Sequence, residues 1–91
     1  MSVVSRDELA RYCKLDEDAL IDEAVSLAET MERRLLRKGA VDTPVTHADF
    51  CLAVKMLTLH ELDHPGEKIP QGIQDVINEL KLVKHAGGGS A

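Results

Sequence analysis

The chain has 91 residues, 44% of them hydrophobic and 30% charged, a balance that makes one folded domain and excludes a disordered chain. Its formal charge of −5 sets most of the surface against free nucleic acid. Tyr12 and Phe50 are the only aromatic residues, so Leu, Ala and Val must fill the core, which favours packed helices over a sandwich or barrel.

The first helix is expected to begin after Ser5. Ser5 and Glu8 make an S-x-x-E capping box, Val4 stands at staple spacing from Leu9, and the helix stops near Lys14. Leu9, Tyr12 and Cys13 share its apolar face. A second, longer helix is expected after Asp16 as N-cap, with Glu17 and Asp18 in the first turn and Leu15 at staple spacing from Leu20. Its apolar stripe reads Leu20, Ala24, Leu27, Ala28, Met31 and Leu35. Asp22, Glu23, Ser26, Glu29, Arg33 and Arg37 take the opposite side. Basic residues close the last turn and Gly39 supplies the residue after the cap.

Residues 39–45 read as a turn, and Thr46 as the N-cap of a third helix, with Asp49 as its partner and Val45 opposite Phe50. From Ala48 to Leu62 only Asp49, Lys55, Thr58, His60 and Glu61 are polar. A helix apolar around most of its circumference is central, against several neighbours or against another subunit. Asp63-His64-Pro65-Gly66 breaks it. A fourth helix follows, with Pro70 at its first position and Ile73, Val76, Ile77, Leu80 and Val83 on one face. The expectation is an all-α fold: a single four-helix domain over residues 1–85, with the second and third helices as a long central antiparallel pair, and a flexible Gly/Ser tail over 86–91.

Charge is unevenly spread. Residues 1–32 carry nine acids against three bases, and Arg33, Arg34, Arg37 and Lys38 follow at once. These four bases complement the C-terminal dipole of the second helix while facing water. They also have the sign to pair with an acidic face of a neighbouring subunit, around Asp16, Glu17, Asp18, Asp22 and Glu23. Cys13 and Cys51 lie on apolar faces and in no C-x-x-C or zinc-finger spacing, so buried free thiols in a reduced, cytosolic setting are expected. No apolar run approaches a membrane span, so no membrane partner is expected.

His60-Glu61-Leu62-Asp63-His64 matches H-E-x-x-H, in which two His at i and i+4 bind zinc and the Glu activates water. Pro65 follows the second His directly and leaves it at a fraying helix end. A third ligand would have to come from Glu67, Asp75, Glu79 or His85, none in a recognised spacing. The expectation is therefore no enzyme, no metal and no cofactor, with His60 packed near the helix end and Glu61 and His64 solvated.

Three segments carry a resemblance. A short helix runs through Leu15-Asp16-Glu17-Asp18 into Asp18-Ala19-Leu20-Ile21-Asp22-Glu23-Ala24-Val25; an apolar helix ends in Val54-Lys55-Met56-Leu57-Thr58-Leu59-His60-Glu61; a spacer leads to Ile69-Pro70-Gln71-Gly72-Ile73 and a last apolar stretch through Leu80. This order resembles the small head–tail connector (adaptor, or head-completion) proteins of long-tailed bacteriophages, over residues 6–83. Where that family usually has an aromatic residue and a Tyr-Glu-Asn-Arg-like run, this chain has Leu62-Asp63-His64-Pro65, and its link between the second and third helices is short. The resemblance implies a structural protein of the virion, assembled in the bacterial host cytoplasm, that forms a closed ring of roughly a dozen copies. The ring sits under the portal protein, extends the DNA channel and receives a downstream head-completion or tail protein. DNA passes through without sequence-specific binding, which an acidic wall favours.

On charge pattern and amphipathicity, the candidate subunit contacts are Asp18, Asp22, Glu29, Arg33, Arg34 and Arg37 on the second helix and Leu80, Leu82 and Val83 on the fourth. The alternative is a small helical binding or DNA-binding regulatory module. A recognition helix would show bases at its exposed N-terminal end, where the third helix has Asp49.

Overall fold

The computed structural model describes the backbone of residues 3–39 and 47–89, and the side chains of 3–39 and 48–81. Among the described residues the fold is four helices with no strand: α1 (Arg6–Cys13), α2 (Asp18–Arg37), α3 (His47–Asp63) and α4 (Gln71–Gly89). The expected caps at Thr46 and Val45 lie outside the described residues.

The first cap is as expected on one arm. Ser5 Oγ accepts from Glu8 N–H at 3.2 Å, and Val4 and Leu9 are both buried as the staple requires. The Glu8 carboxylate turns instead to Lys55 of α3, whose Nζ donates to Oε2 at 3.1 Å. One half of the capping box has thus become a tie between helices. The helix ends on Lys14 in the left-handed conformation, φ 56°, and Leu15 N–H closes the turn on Ala10 C=O at 2.9 Å.

Two expectations for α2 shift by one residue. Glu17, not Asp16, is the N-cap: its backbone is extended and its C=O accepts Ile21 N–H at 3.0 Å. The core-facing stripe is Ile21, Ala24, Ala28, Met31 and Leu35, with Leu20 left 41% exposed. That set repeats at three and four residues without a break. Leu27 remains partly buried against the core. At the far end Gly39 takes φ +100°, the left-handed closure expected of it.

α3 packs against α1, α2 and α4, the placement its all-round apolar sequence calls for. Phe50, Cys51, Ala53, Val54, Leu57 and Thr58 are buried along it. Thr58 is the one buried polar side chain among the described residues, and its hydroxyl donates to Val54 C=O at 2.7 Å. Ala24 and Ala28 of α2 and Ala53 of α3 are wholly buried, and their small side chains allow close approach of the backbones. α4 brings Ile73, Ile77 and Leu80 onto α3. Pro70 stands one residue outside α4 as its cap, because its C=O accepts Gln74 N–H at 3.1 Å. α4 runs to Gly89, past the expected boundary at residue 85; nothing in the structure explains the extension, since Gly is a poor helix former.

Ahead of α1, Val3 straps the helices together. Its N–H donates to Glu32 Oε2 of α2 at 3.1 Å, and its C=O accepts from Cys51 Sγ of α3 at 3.7 Å. No helix among the described residues is long and apolar enough to cross a membrane.

Candidate interaction surface

Because Ile21, Ala24, Ala28, Met31 and Leu35 face the core, helical geometry puts Asp22, Glu29, Arg33 and Arg37 on the opposite, outer side of α2, with Asp18 and Leu36 on its flank. This side starts acidic and ends basic. Leu36, 48% exposed, is the most exposed large apolar residue among those described and lies beside Arg33. Leu36 also lines a shallow hollow of about 230 Å³ with Glu29, Glu32 and Arg33.

The acidic end is partly spent within the chain. Arg6 of α1 pairs with Asp22 and, at 3.5 Å, with Asp18, and both carboxylates hold its guanidinium charged. Sequence reasoning offered these two carboxylates to a neighbour and missed Arg6. The basic end is not spent. Among the described residues Arg33, Arg34, Arg37 and Lys38 make no ion pair. Arg34, with Lys38 four residues on, lies on the flank of α2 that carries Leu20 and Leu27, apart from Arg33 and Arg37.

Leu80 is 2% exposed and packed among the core residues of α4, so its side chain is committed to the domain and leaves the contact set. Its position three residues after Ile77, on the same stripe as Ile73, carried that signal. Leu82 and Val83 lie outside the residues whose side chains are described.

Along the earlier part of α2, from Leu20 to Thr30, runs a groove. One hollow, about 230 Å³, is lined by Cys13, Leu15, Leu20, Glu23, Leu59, Leu62 and Asp63. A second, about 380 Å³, adjoins it through the shared Glu23 and Leu62 and adds Leu27, Thr30, Glu61 and Pro65. The rim carries Glu23, Glu61 and Asp63, and no base lines either hollow. Cys13 sits half-buried in this groove; burial, and then the charge of Asp63, push its thiol above its ordinary pKa. That disfavours the thiolate a nucleophile would need. Cys51 is buried under the Val3 strap.

The H-E-x-x-H residues bind the α3–α4 connection. His60 Nε2 lies 3.3 Å from Glu67 C=O, His64 Nδ1 lies 2.7 Å from the Glu67 carboxylate, and Glu61 Oε1 accepts from Gly66 N–H at 3.4 Å. The two imidazoles are 5.6 Å apart between centroids. Glu61 and His64 are thus partners of the turn, not merely solvated, and the expected packing of His60 at the helix end is completed by a backbone carbonyl. No three His, Cys, Asp or Glu among the described residues converge on a point where a metal would sit. Sequence reasoning did not anticipate the clamp, since it depends on Gly66 turning the chain back at φ +76°.

No protein-family model, curated protein or solved structure matches this chain.

Proposed function

We propose that this chain is a structural head–tail connector of a long-tailed bacteriophage: a ring-forming part that extends the DNA channel beneath the portal protein and offers a platform to the next head-completion or tail protein. The observation that carries this reading is the outer side of α2. It presents an exposed leucine, Leu36, in a hollow with Glu29, Glu32 and Arg33, close to a run of bases that make no ion pair among the described residues, and an acidic groove runs along the earlier part of the same helix from Leu20 to Thr30. A surface with opposite signs at its two ends suits head-to-tail, heterologous association, and such association closes into a ring when its rotation permits. The order of a short capped helix, a long amphipathic helix, an apolar central helix and a last helix after Ile69-Pro70 supports the same reading.

Within the subunit, α2 and α3 form the central antiparallel pair. The start of α2 (Leu20, Glu23) and the end of α3 (Leu59, Leu62) line one hollow, as such an arrangement requires. The protein works in the virion and is assembled in the host cytoplasm. It performs no catalysis and takes no cofactor; the H-E-x-x-H residues serve the turn after α3.

Light scattering coupled to size-exclusion chromatography over a concentration series tests self-assembly. A discrete, closed oligomer of many copies is expected. A monomer at every concentration overturns self-assembly of the free chain.

A further inference from the structure

Leu36 and the groove belong to the same helix but cannot meet in one copy. The groove runs along α2 from Leu20 to Thr30, so it begins about 24 Å and ends about 9 Å before Leu36 along a rigid helix axis, on a different flank. Each is incomplete alone. Leu36 is 48% exposed beside Arg33 and Arg37, and Arg34 and Lys38 complete a run of four bases in six residues. The groove has an apolar floor of Leu20, Leu27, Leu59 and Leu62 with Glu23, Glu61 and Asp63 on its rim. Leu20 is itself 41% exposed there. The smaller hollow, about 230 Å³, exceeds the roughly 150 Å³ of an apolar cavity that takes up benzene, so it has room for an isobutyl side chain.

We infer that Leu36 of one copy seats in the α2–α3 groove of the next, with Arg33 and Arg37 set against the carboxylates of Glu23, Glu61 and Asp63. The inference rests on the self-assembly proposed above and deepens it, since it names both halves of the contact. The occupant is a second copy because this chain carries the matching knob. The apolar side chain supplies buried area, and the charges set polarity. Two grooves would bring acidic rims together and are repelled, and two knobs would set Arg33 and Arg37 against the same mixed surface of Glu29, Glu32 and bases with no apolar hollow to receive either leucine. Only knob to groove is favoured, and that contact is heterologous. The anchor residues are few and central, as in interfaces whose binding energy is concentrated in a buried cluster.

Cys13 in the groove makes the seating readable. A donor chain carries Cys13→Ser and Leu36→Cys, and the thiol introduced at position 36 is activated as a mixed disulfide with thionitrobenzoate. The donor is mixed with the native chain at a pH above 8, chosen because the Cys13 thiol is pushed upward. The Cys13 thiolate attacks the position-36 sulfur, one disulfide bond forms as the other breaks, and thionitrobenzoate leaves as its coloured thiolate. The expected result is a disulfide between two chains that joins position 36 of the donor to Cys13 of the acceptor, mapped by peptide mass spectrometry. It should form at least tenfold faster than any link to a Cys13→Ser acceptor, and molar salt should slow it several-fold. Equal rates on the two acceptors, or a link that maps elsewhere, overturn the seating. The mass of the native chain is read separately. An oligomer without this link removes the contact and leaves ring assembly standing, whereas a monomer without the link removes both.

Discussion

Among the described residues Lys14 is the one non-glycine residue with a positive φ. A non-glycine residue in the left-handed region carries a steric cost of about 1–2 kcal/mol, and Lys14, exposed at φ 56°, has no described contact that would be lost with its side chain. Lys14→Gly should therefore raise stability by about 1 kcal/mol in urea denaturation; an unchanged or lowered midpoint would show that the turn has no strain to relieve. Cys13 makes a second prediction. Burial and the nearby Asp63 charge raise its pKa, so at pH 8 it holds less thiolate than free cysteine and should react more slowly with a disulfide reagent. Its rate should keep rising with pH where that of free cysteine has levelled. Asp63→Asn should bring the profile part of the way back, and a profile unmoved by that change would leave burial as its sole cause.

At the scale of elements, Ala24 and Ala28 of α2 and Ala53 of α3 are wholly buried, where a larger side chain has no solvent to turn to. Ala28→Leu should cost about 1–3 kcal/mol by overpacking, although Leu is nearly as good a helix former as Ala. Leu35→Ala, at a fully buried position, should cost about 2–5 kcal/mol, a large share of the roughly 5–14 kcal/mol expected for a domain this size. Thermal and urea unfolding read both. Gly66→Ala should cost about 1–2 kcal/mol, since its Cβ meets no neighbour and the penalty lies in the backbone at φ +76°. The order and type of the helices were legible in the sequence because capping boxes, Gly39 and Pro65 are local signals. The phase of α2 was less so. Leu20-Ala24-Leu27-Ala28-Met31-Leu35 and Ile21-Ala24-Ala28-Met31-Leu35 both satisfy helical spacing and share four residues, and packing selects the second by burying Ile21 in place of Leu20. Nor could chain order reveal that Arg6 takes Asp18 and Asp22, that Glu8 abandons its own cap for Lys55, or that Glu67 and Gly66 gather the H-E-x-x-H side chains. Those partners lie on other elements or beyond a turn, and only the folded chain brings them together.

For the whole molecule, the separation of charge along α2 should make the proposed association depend on ionic strength. The cations concerned are exposed, so screening acts on them fully, with a Debye length of about 10 Å at 0.1 M salt and about 3 Å at 1 M. The mass of the assembly should fall as salt is raised at fixed protein concentration. Arg33→Glu together with Arg37→Glu should lower it further at low salt and leave the unfolding midpoint of the monomer within about 0.5 kcal/mol, because neither residue has a described partner. An assembly indifferent to both changes would place its contacts away from the outer side of α2. Of this surface, the sequence disclosed Glu29, Arg33 and Arg37 through the charge run alone. It could not disclose the groove, because Leu20, Leu59 and Leu62 become neighbours only when helices far apart in sequence pack together.

The Val3 strap has a practical consequence for anyone handling this protein. The Val3 amide is fixed on Glu32, which borders the same hollow as Leu36, so a polypeptide attached ahead of Val3 is delivered to the edge of the knob. An affinity tag, fluorescent domain or display fusion at that end would crowd the surface through which copies are proposed to meet. A protein purified with such an appendage and found monomeric would be reporting on its label, and the appendage should be cleaved before its mass is read.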